Sequence, residues 1–217
     1  PLIIVNLKTY PQGYGDAGIA LCRDMAAVAE DSGACLAAAT SALDLRRYAH
    51  KSGIPVLAQH IDAVPAGAHT GAVLPEAAAA AGAVGTLINH AERQLEWPAI
   101  EATLGHARKA GLATVLCTAD VEATARGAAL RPGYVAVEPP ELIGGNISVS
   151  TARPEVISDS VAAVAGSNVP LLCGAGVKTQ VDVTKAMELG AAGILLASGV
   201  VKAPEPRTVL EELVQGL

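Results

Sequence analysis

The unit that decides the fold lies in residues 2–40 and reads LIIVNLKTYPQGYGDAGIALCRDMAAVAEDSGACLAAAT. Its two ends, residues 2–7 and 35–40, are short aliphatic runs of the kind found in parallel strands that are buried on both faces. Between them, residues 16–31 carry Ala, Leu and Val at helical spacing. The stretch therefore predicts one strand–helix–strand unit.

The same unit recurs along the whole chain. Further strands are predicted at residues 56–60, 85–89, 113–118, 134–138, 170–174 and 193–197, and further helices at residues 92–110, 151–165 and 179–189. Eight strands joined by right-handed crossovers favour an α/β fold of the (β/α)8 type, a closed parallel barrel with outer helices. An open doubly wound sheet is the alternative. No linker divides the chain, so residues 1–217 are expected to form a single barrel domain.

Glycines mark the ends of most predicted helices. Glycine is suited to the left-handed backbone conformation that follows the last turn of a helix. Six glycines occupy that place before the next strand, namely Gly33, Gly53, Gly82, Gly111, Gly133 and Gly190.

The composition excludes several classes of protein. Hydrophobic residues make up 51% of the chain and charged residues 17%, which excludes intrinsic disorder. The 15 basic residues against 21 acidic ones disfavour a nucleic-acid partner. No apolar run reaches the roughly 20 residues that span a bilayer, and the first residues lack a basic leader, so no membrane association and a cytoplasmic location are expected. The four cysteines show no C-x-x-C spacing and are expected to be reduced, mostly buried thiols.

Polar residues at three strand ends point to chemistry. Asn6 and Lys8 follow the first strand on one face, His90 follows the fourth strand, and Glu138 ends the sixth. Each has a structural explanation when taken alone, as a solvated charge, a turn residue or a strand terminus. Because the carboxyl ends of barrel strands surround one site, the three acid–base or charged types together favour proton-transfer chemistry.

Glycine-rich segments follow the last three strands. They are Ile143-Gly144-Gly145-Asn146, Gly174-Ala175-Gly176 and Ala197-Ser198-Gly199. Backbone amides without obstructing side chains bind phosphate, and barrels often place a phosphate site after strands seven and eight. The alternative is that these segments are only tight turns.

These motifs resemble those of the triosephosphate isomerase family. The resemblance rests on Asn6-x-Lys8, on Asn89-His90-Ala91-Glu92-Arg93 and on Val137-Glu138-Pro139, and it extends along the full length to Ala197-Ser198-Gly199. The short chain and Pro139-Pro140-Glu141-Leu142-Ile143-Gly144 are similar to the compact archaeal branch. Three segments depart from the family pattern: Gly145 and Asn146 in the expected lid at residues 139–146, Gly174-Ala175-Gly176 in place of Gly-Gly-Ser, and Ala72 in place of Glu.

The resemblance implies a TIM barrel that interconverts dihydroxyacetone phosphate and D-glyceraldehyde 3-phosphate, an aldose–ketose isomerisation of glycolysis and gluconeogenesis. Glu138 would be the base, His90 the proton shuttle and Lys8 the cation that binds substrate. Asn6 would orient the substrate, with Ile143, Gly144, Gly174, Gly176, Ala197 and Ser198 around the phosphate. His90 would act as a neutral imidazole, because a helix N-terminus predicted near Ala91 disfavours an added positive charge. No metal and no cofactor are expected.

The resemblance also implies self-association. The loop formed by residues 67–71 would enter a pocket beside the partner's Asn6 and Lys8. The Ala-rich residues 76–82 would either allow close helix approach at a second interface or form a short helix that packs on its own barrel. A homotetramer is the first expectation and a dimer the second.

Two other functions stay open from the sequence alone. One is a different phosphate-binding barrel, an isomerase or lyase of sugar or amino-acid biosynthesis. It accounts for the glycine loops but leaves Lys8, His90 and Glu138 unexplained. The other is a non-catalytic barrel that binds a phosphometabolite, in which at least one of these three residues would be free to be lost.

Overall fold

A computed structural model describes residues 1–142 and 148–217. Eight parallel strands form a closed barrel in chain order, and the last strand pairs with the first. They are β1 (Leu2–Asn6), β2 (Cys35–Thr40), β3 (Val56–Ala58), β4 (Gly85–Ile88), β5 (Ala113–Thr118), β6 (Tyr134–Val137), β7 (Leu171–Gly174) and β8 (Gly193–Leu196). The predicted (β/α)8 barrel is confirmed, because an open sheet would leave β1 and β8 unpaired.

Helices surround the barrel. In the described residues they are α1 (Gly15–Ser32), α2 (Leu45–Lys51), α3 (Pro75–Ala80), α4 (Trp97–Lys109), α5 (Val121–Ala129), α6 (Val149–Ala152), α7 (Pro154–Val164), α8 (Gln180–Glu188), α9 (Ser198–Val201) and α10 (Pro206–Val214), with 3-10 turns at Pro11–Gly13 and Pro140–Leu142. The predicted helix at residues 92–110 begins only at Trp97, with Pro98 in its first turn. The predicted helix at residues 151–165 is interrupted before Pro154, which cannot donate a backbone hydrogen bond.

Two apolar layers stabilise the barrel. Alternate strand residues, including Ile4, Leu57 and Leu172, fill the interior of the barrel. Their neighbours on the opposite face, such as Ile3 and Val5, pack under the helices. This alternation continues past the end of β1, so that Asn6 follows Ile4 on the inner face and sits above the packed interior.

The glycine prediction is correct at five of six positions. Gly33, Gly53, Gly82, Gly111 and Gly190 have positive φ angles. At the end of α5 the left-handed residue is instead Arg131, with φ of 54°. Gly133 has a different role there, because a Cβ atom at this position would lie 3.0 Å from the carbonyl oxygen of Thr114.

All four cysteines are free thiols, and Cys22, Cys117 and Cys173 are buried, whereas Cys35 is exposed. A membrane-spanning helix needs a long apolar stretch, and none of the helices in residues 1–142 and 148–217 provides one.

Candidate active site

The carboxyl ends of β1, β4 and β6 surround one pocket. A cleft of about 440 Å³ is lined by Asn6, Lys8, His90 and Glu138 and by the loops that follow β7 and β8. An adjoining depression of about 520 Å³ shares Asn6, Lys8 and His90 with this cleft. The structure therefore brings together the residues that three separate strand ends supply.

Glu138 is a buried carboxylate at the floor of this pocket. Its backbone N–H donates to the carbonyl oxygen of Thr118 at 2.8 Å, which holds the residue beside β5. The residue is 6% exposed, and its Oε2 atom accepts no hydrogen bond from any residue that the structure describes. Burial raises the pKa of Glu138, although His90, Cys117 and Lys8 oppose that rise. A desolvated carboxylate is a stronger base than one in water.

Gly174 at the end of β7 leaves room for Glu138. A Cβ atom at position 174 would lie 2.3 Å from Cγ of Glu138 and 2.9 Å from Cδ and Oε1. Gly174, one of the predicted substrate-binding residues, lies against the Glu138 side chain, and the next two residues, Ala175 and Gly176, line the pocket. The space at this strand end is thus occupied by the carboxylate.

His90 faces Glu138 across the pocket. Its Nε2 atom lies 3.8 Å from Oε2 of Glu138, and the side chain is 8% exposed. Its Nδ1 atom accepts a hydrogen bond from the backbone N–H of Glu92 at 3.1 Å. The acceptor role of Nδ1 in this contact places the ring proton on Nε2, the nitrogen that faces Glu138.

The prediction of a helix N-terminus near Ala91, beside the His90 ring, was wrong. Residues 91–96 form a turn and an extended segment, and α4 begins only at Trp97. A single backbone amide, that of Glu92, takes the place of the predicted helix N-terminus.

Lys8 and Asn6 form the opposite wall. Lys8 has φ of 48°, a strained conformation for a residue with a side chain. Its side chain is 9% exposed, and its Nζ atom lies 2.7 Å from Oε1 of Glu92. The Lys8 backbone N–H donates to Oδ1 of Asn6 at 3.1 Å, so the two residues fix each other. Strained backbone conformations of this kind are concentrated at functional sites.

Gln59 supports this wall and was not predicted as a site residue. Its Nε2 atom donates to Oδ1 of Asn6 at 3.1 Å and to the carbonyl oxygen of Lys8 at 3.0 Å. Asn89 plays a similar part beside His90: it has φ of 61° and accepts from the backbone N–H of Leu95 at 2.8 Å. Asn is one of the few residue types that readily adopts a positive φ angle. An asparagine at the end of β4 was therefore the sequence signal for this turn.

The loops after β7 and β8 form the far end of the pocket. Ala175 and Gly176 both have positive φ, at 69° and 72°, and Ala197 and Ser198 lie opposite them. Ser198 begins α9, and the first amides of any helix have no carbonyl partner one turn earlier. This end of the pocket is suited to an anion. The predicted phosphate residues Ile143 and Gly144 lie outside the described residues.

Across residues 1–142 and 148–217, no group of three or more His, Cys, Asp or Glu side chains is arranged to hold a metal ion. The chemistry that the described residues themselves offer is acid–base and electrostatic.

Comparison with known proteins is consistent with this geometry. The family model described as Triosephosphate isomerase matches residues 1–216. A protein named Triosephosphate isomerase from Methanosarcina acetivorans is 49% identical over 217 residues, covering 99% of this chain and 98% of its own length. Its namesakes from Methanothermobacter thermautotrophicus and Archaeoglobus fulgidus are 48% and 47% identical, over 99% and 98% of this chain and 94% and 96% of their own lengths. This chain belongs to the triosephosphate isomerase family.

Proposed function

We propose that this chain interconverts dihydroxyacetone phosphate and D-glyceraldehyde 3-phosphate, with Glu138, His90 and Lys8 as the catalytic residues. The observation that carries this proposal is the buried, unpartnered Oε2 of Glu138, which lies 3.8 Å from Nε2 of His90 in the pocket that Lys8 lines. A base, a neutral donor and a cation are the groups that an enediolate reaction requires.

The proton transfers follow from these positions. Glu138 takes a proton from C1 of dihydroxyacetone phosphate, and the electron pair moves to form the C1–C2 double bond, leaving negative charge on O2. The Nε2–H group of His90 donates its proton to O2 and then takes the proton of the C1 hydroxyl. Glu138 returns its proton to C2, which completes the aldehyde at C1. The cycle consumes and releases no net proton, and the proton that Glu138 holds exchanges with solvent in part before it is returned to carbon.

Lys8 and Asn6 supply electrostatic stabilisation and orientation. The Lys8 ammonium would balance the enediolate and the phosphate, because a fixed cation in a buried site acts more strongly than one in water. The Nδ2 group of Asn6 would donate to a substrate oxygen, since its Oδ1 atom is already used by Lys8 and Gln59. Lys8 and Asn6 would thereby hold the reacting carbons against Glu138.

We further propose that backbone amides bind the phosphate. Gly176, Ala197 and Ser198 are suited to this by their place at the anion-binding end of the pocket. Ile143 and Gly144 are proposed to complete the site from a lid at residues 139–146. The first described turn of that segment is held by Arg153, whose Nη1 atom lies 2.6 Å from Oε1 of Glu141. A closed lid would exclude water from the enediolate.

A coupled assay tests the function. The chain is mixed with glyceraldehyde 3-phosphate, glycerol-3-phosphate dehydrogenase and NADH, and absorbance at the NADH band is followed. Oxidation of NADH that depends on the chain is expected. A chain that binds the triose phosphate without producing dihydroxyacetone phosphate would instead be a binding barrel, and one that acts only on other phosphorylated substrates would be a different isomerase or lyase.

The contact between Gly174 and Glu138 gives a first prediction. We expect Gly174→Ala to lower kcat by about 100-fold, because the new methyl group displaces Glu138 and a misplacement of about 1 Å costs that much. The coupled assay gives kcat, and the unaltered fold is checked by circular dichroism.

The matched control for this variant is Gly105→Ala, at a half-buried helical position where a Cβ atom meets nothing within 4 Å. An active Gly174→Ala variant with the kcat of the control would show that the close approach of Gly174 and Glu138 does not position the base.

We infer that the protein acts as a single barrel domain in the cytoplasm. Its free thiols at Cys22, Cys117 and Cys173 are typical of proteins in a reducing compartment. A role in glycolysis and gluconeogenesis supports the same location.

We also propose that the chain assembles, with a homotetramer as first choice and a dimer as second. Two large apolar side chains lie at the pocket end of the barrel in loops after β1 and β2: Tyr14 is 55% exposed and Leu43 is 96% exposed. Residues 67–71 are exposed, and the depression beside Asn6 and Lys8 offers about 520 Å³ for such a loop. Self-association would bury these features together.

The assembly proposal predicts a mass and its dependence on Leu43. Light scattering at micromolar concentration should give about 87 kDa, four times the chain mass of 21.8 kDa. We expect Leu43→Asp to lower the mass and the specific activity together, because a charge would be buried at the interface.

The matched control is Val84→Asp, at a 49% exposed position that precedes β4 at the opposite end of the barrel. A fully active species of 21.8 kDa would refute the idea that subunits complete each other's sites.

A further inference from the structure

The loop of residues 63–72 protrudes from the barrel after β3. Its residues 65–71 are all exposed. Backbone hydrogen bonds inside the loop, from His69 to Gly67 and from Ala72 to His69, join residues that are two or three positions apart. Such local bonds shape the turns of the loop but do not attach it to the barrel. The direction of the loop is therefore set where it begins and ends.

Asp62 joins the two ends of this loop. Its backbone N–H donates to the carbonyl oxygen of Val73 at 2.9 Å, and its Oδ2 atom accepts from the backbone N–H of Val73 at 2.7 Å. Asp62 thus pairs with both backbone polar groups of Val73, which would otherwise need other partners. The two contacts close residues 63–72 into a loop with fixed ends.

The other carboxylate oxygen of Asp62 contacts the rim of the depression beside Lys8. Oδ1 lies 2.9 Å from Nε2 of His60 and 3.6 Å from Nη2 of Arg93. Both of these residues line the depression of about 520 Å³. The His60 side chain is 11% exposed, so its contact with Asp62 is largely shielded from solvent. Asp62 therefore holds the base of the loop against the rim of the depression.

Asp62 is ionised at neutral pH. Burial would raise the pKa of Asp62, but the hydrogen bonds from Val73 and His60 outweigh it. The charge of Arg93 acts in the same direction as these bonds, and the pKa of Asp62 lies below its ordinary value. A carboxylate only accepts hydrogen bonds, so Nε2 of His60 is the donor. Hydrogen bonds to an ionised acceptor are stronger than neutral ones, which makes this base a firm one.

The loop and the depression lie side by side on one copy of the chain. In an interface with twofold symmetry the same patch serves both copies, so the loop of each copy would enter the depression of the other. Asp62 contacts the loop through Val73 and the rim of the depression through His60. One residue therefore sets the protruding part of such a patch relative to its receiving part.

We infer that Asp62 is a positioning residue for self-association, which fixes the loop of residues 63–72 in the orientation that enters the depression of a second copy of this chain. The inference rests on the proposed self-association. A loop that is ordered before docking loses less conformational freedom when it binds, so the affinity between copies is higher. Each symmetric interface contains two such loops, so the contribution of Asp62 is made twice.

The test compares Asp62→Ala with the unaltered chain and with Asp120→Ala. Asp120 is the N-cap of α5, where its side chain accepts from the backbone N–H of Ala123 at 2.8 Å, so the control also loses a carboxylate that holds a backbone amide. Each chain is labelled with a fluorophore at Cys35, an exposed thiol at the start of β2, and its mass is followed by sedimentation from micromolar to nanomolar concentration. We expect Asp62→Ala to dissociate at a concentration at least about tenfold higher than the other two chains, as for the loss of charge-assisted hydrogen bonds.

Specific activity separates this role from a purely structural one. Because the complete site would depend on assembly, the activity of Asp62→Ala should fall on dilution. It should return to within about twofold of that of the unaltered chain at concentrations where the variant is assembled. A variant that dissociates as the unaltered chain does, or whose activity stays low when it is assembled, would overturn the inference.

A second variant covers a failure to fold. If Asp62→Ala does not fold, Asp62→Asn, which keeps the shape and removes the charge, is measured against the same criteria. An unaltered chain that remains at 21.8 kDa throughout would refute the proposed self-association and the inference with it. An assembled chain without isomerase activity would refute the proposed function alone, since sedimentation would still decide the role of Asp62.

Discussion

Glu138→Gln should lower kcat by about 10³- to 10⁴-fold, because a positioned general base contributes about 10²- to 10⁴-fold and glutamine cannot accept the carbon-bound proton. Glu138→Asp retains a base but withdraws it by one methylene, which should cost about 100-fold or more. Both variants should bind inorganic phosphate as the unaltered chain does. The coupled assay and calorimetry measure these effects, and near-normal turnover in Glu138→Gln would remove Glu138 from its role.

The melting temperature of Glu138→Gln is the control for its loss of activity. Burial raises the folded-state pKa of Glu138 above its unfolded value, so between the two values the folded chain binds more protons. The contribution of Glu138 to stability is therefore fully present below the unfolded pKa and is lost as pH rises through the folded pKa. Glu138→Gln does not lose stability in this pH range, so its melting temperature at pH 7 should be higher. The increase should be about 2–4 °C for each kcal/mol gained in the free energy of unfolding. A lower melting temperature would mean that the carboxylate stabilises the fold.

Lys8→Met should have the second largest effect. Methionine keeps the length of the side chain and removes its charge, in a position that is 9% exposed and 2.7 Å from Glu92. Loss of a group that stabilises developing negative charge costs about 10²- to 10³-fold in kcat, and loss of the phosphate contact should raise KM as well. The coupled assay in both directions measures kcat and KM.

The control for a lost surface charge is Lys109→Met, at the exposed last residue of α4, and this variant should retain full activity. Lys8→Arg should recover only part of the activity, because a planar guanidinium does not fit a position shaped for an ammonium. A loss of less than about tenfold in Lys8→Met would contradict the electrostatic role that we assign to this lysine.

The barrel was predictable because its signals repeat. Each aliphatic run and each helical stretch reports on burial, and eight such units leave little choice of topology. The strand ends were less predictable. Lys8 and Asn89 leave the sheet through positive φ angles, so β1 and β4 end earlier than the apolar pattern suggests. Pro98 marked the start of α4, but polar residues ahead of it resembled helical spacing, and Pro154 marked the break between α6 and α7.

The site was predictable only where residue type alone indicates chemistry. Glu138, His90 and Lys8 are conspicuous because polar residues are costly at the top of an apolar barrel. Gln59 reaches Asn6 through tertiary contacts, and a polar residue in a loop gives no sign of such a partner. The contact of Gly174 with Glu138 likewise joins β7 to β6, which depends on barrel closure rather than on any local pattern.

The most direct test of the central claim is proton NMR of dihydroxyacetone phosphate incubated with the chain in D2O. The account predicts conversion to glyceraldehyde 3-phosphate together with deuterium at the carbons between which Glu138 moves the proton. Glu138→Gln should slow conversion and exchange together, by about 10³- to 10⁴-fold. Conversion that is as fast in Glu138→Gln as in the unaltered chain, or an unaltered chain that catalyses no exchange, would contradict the account.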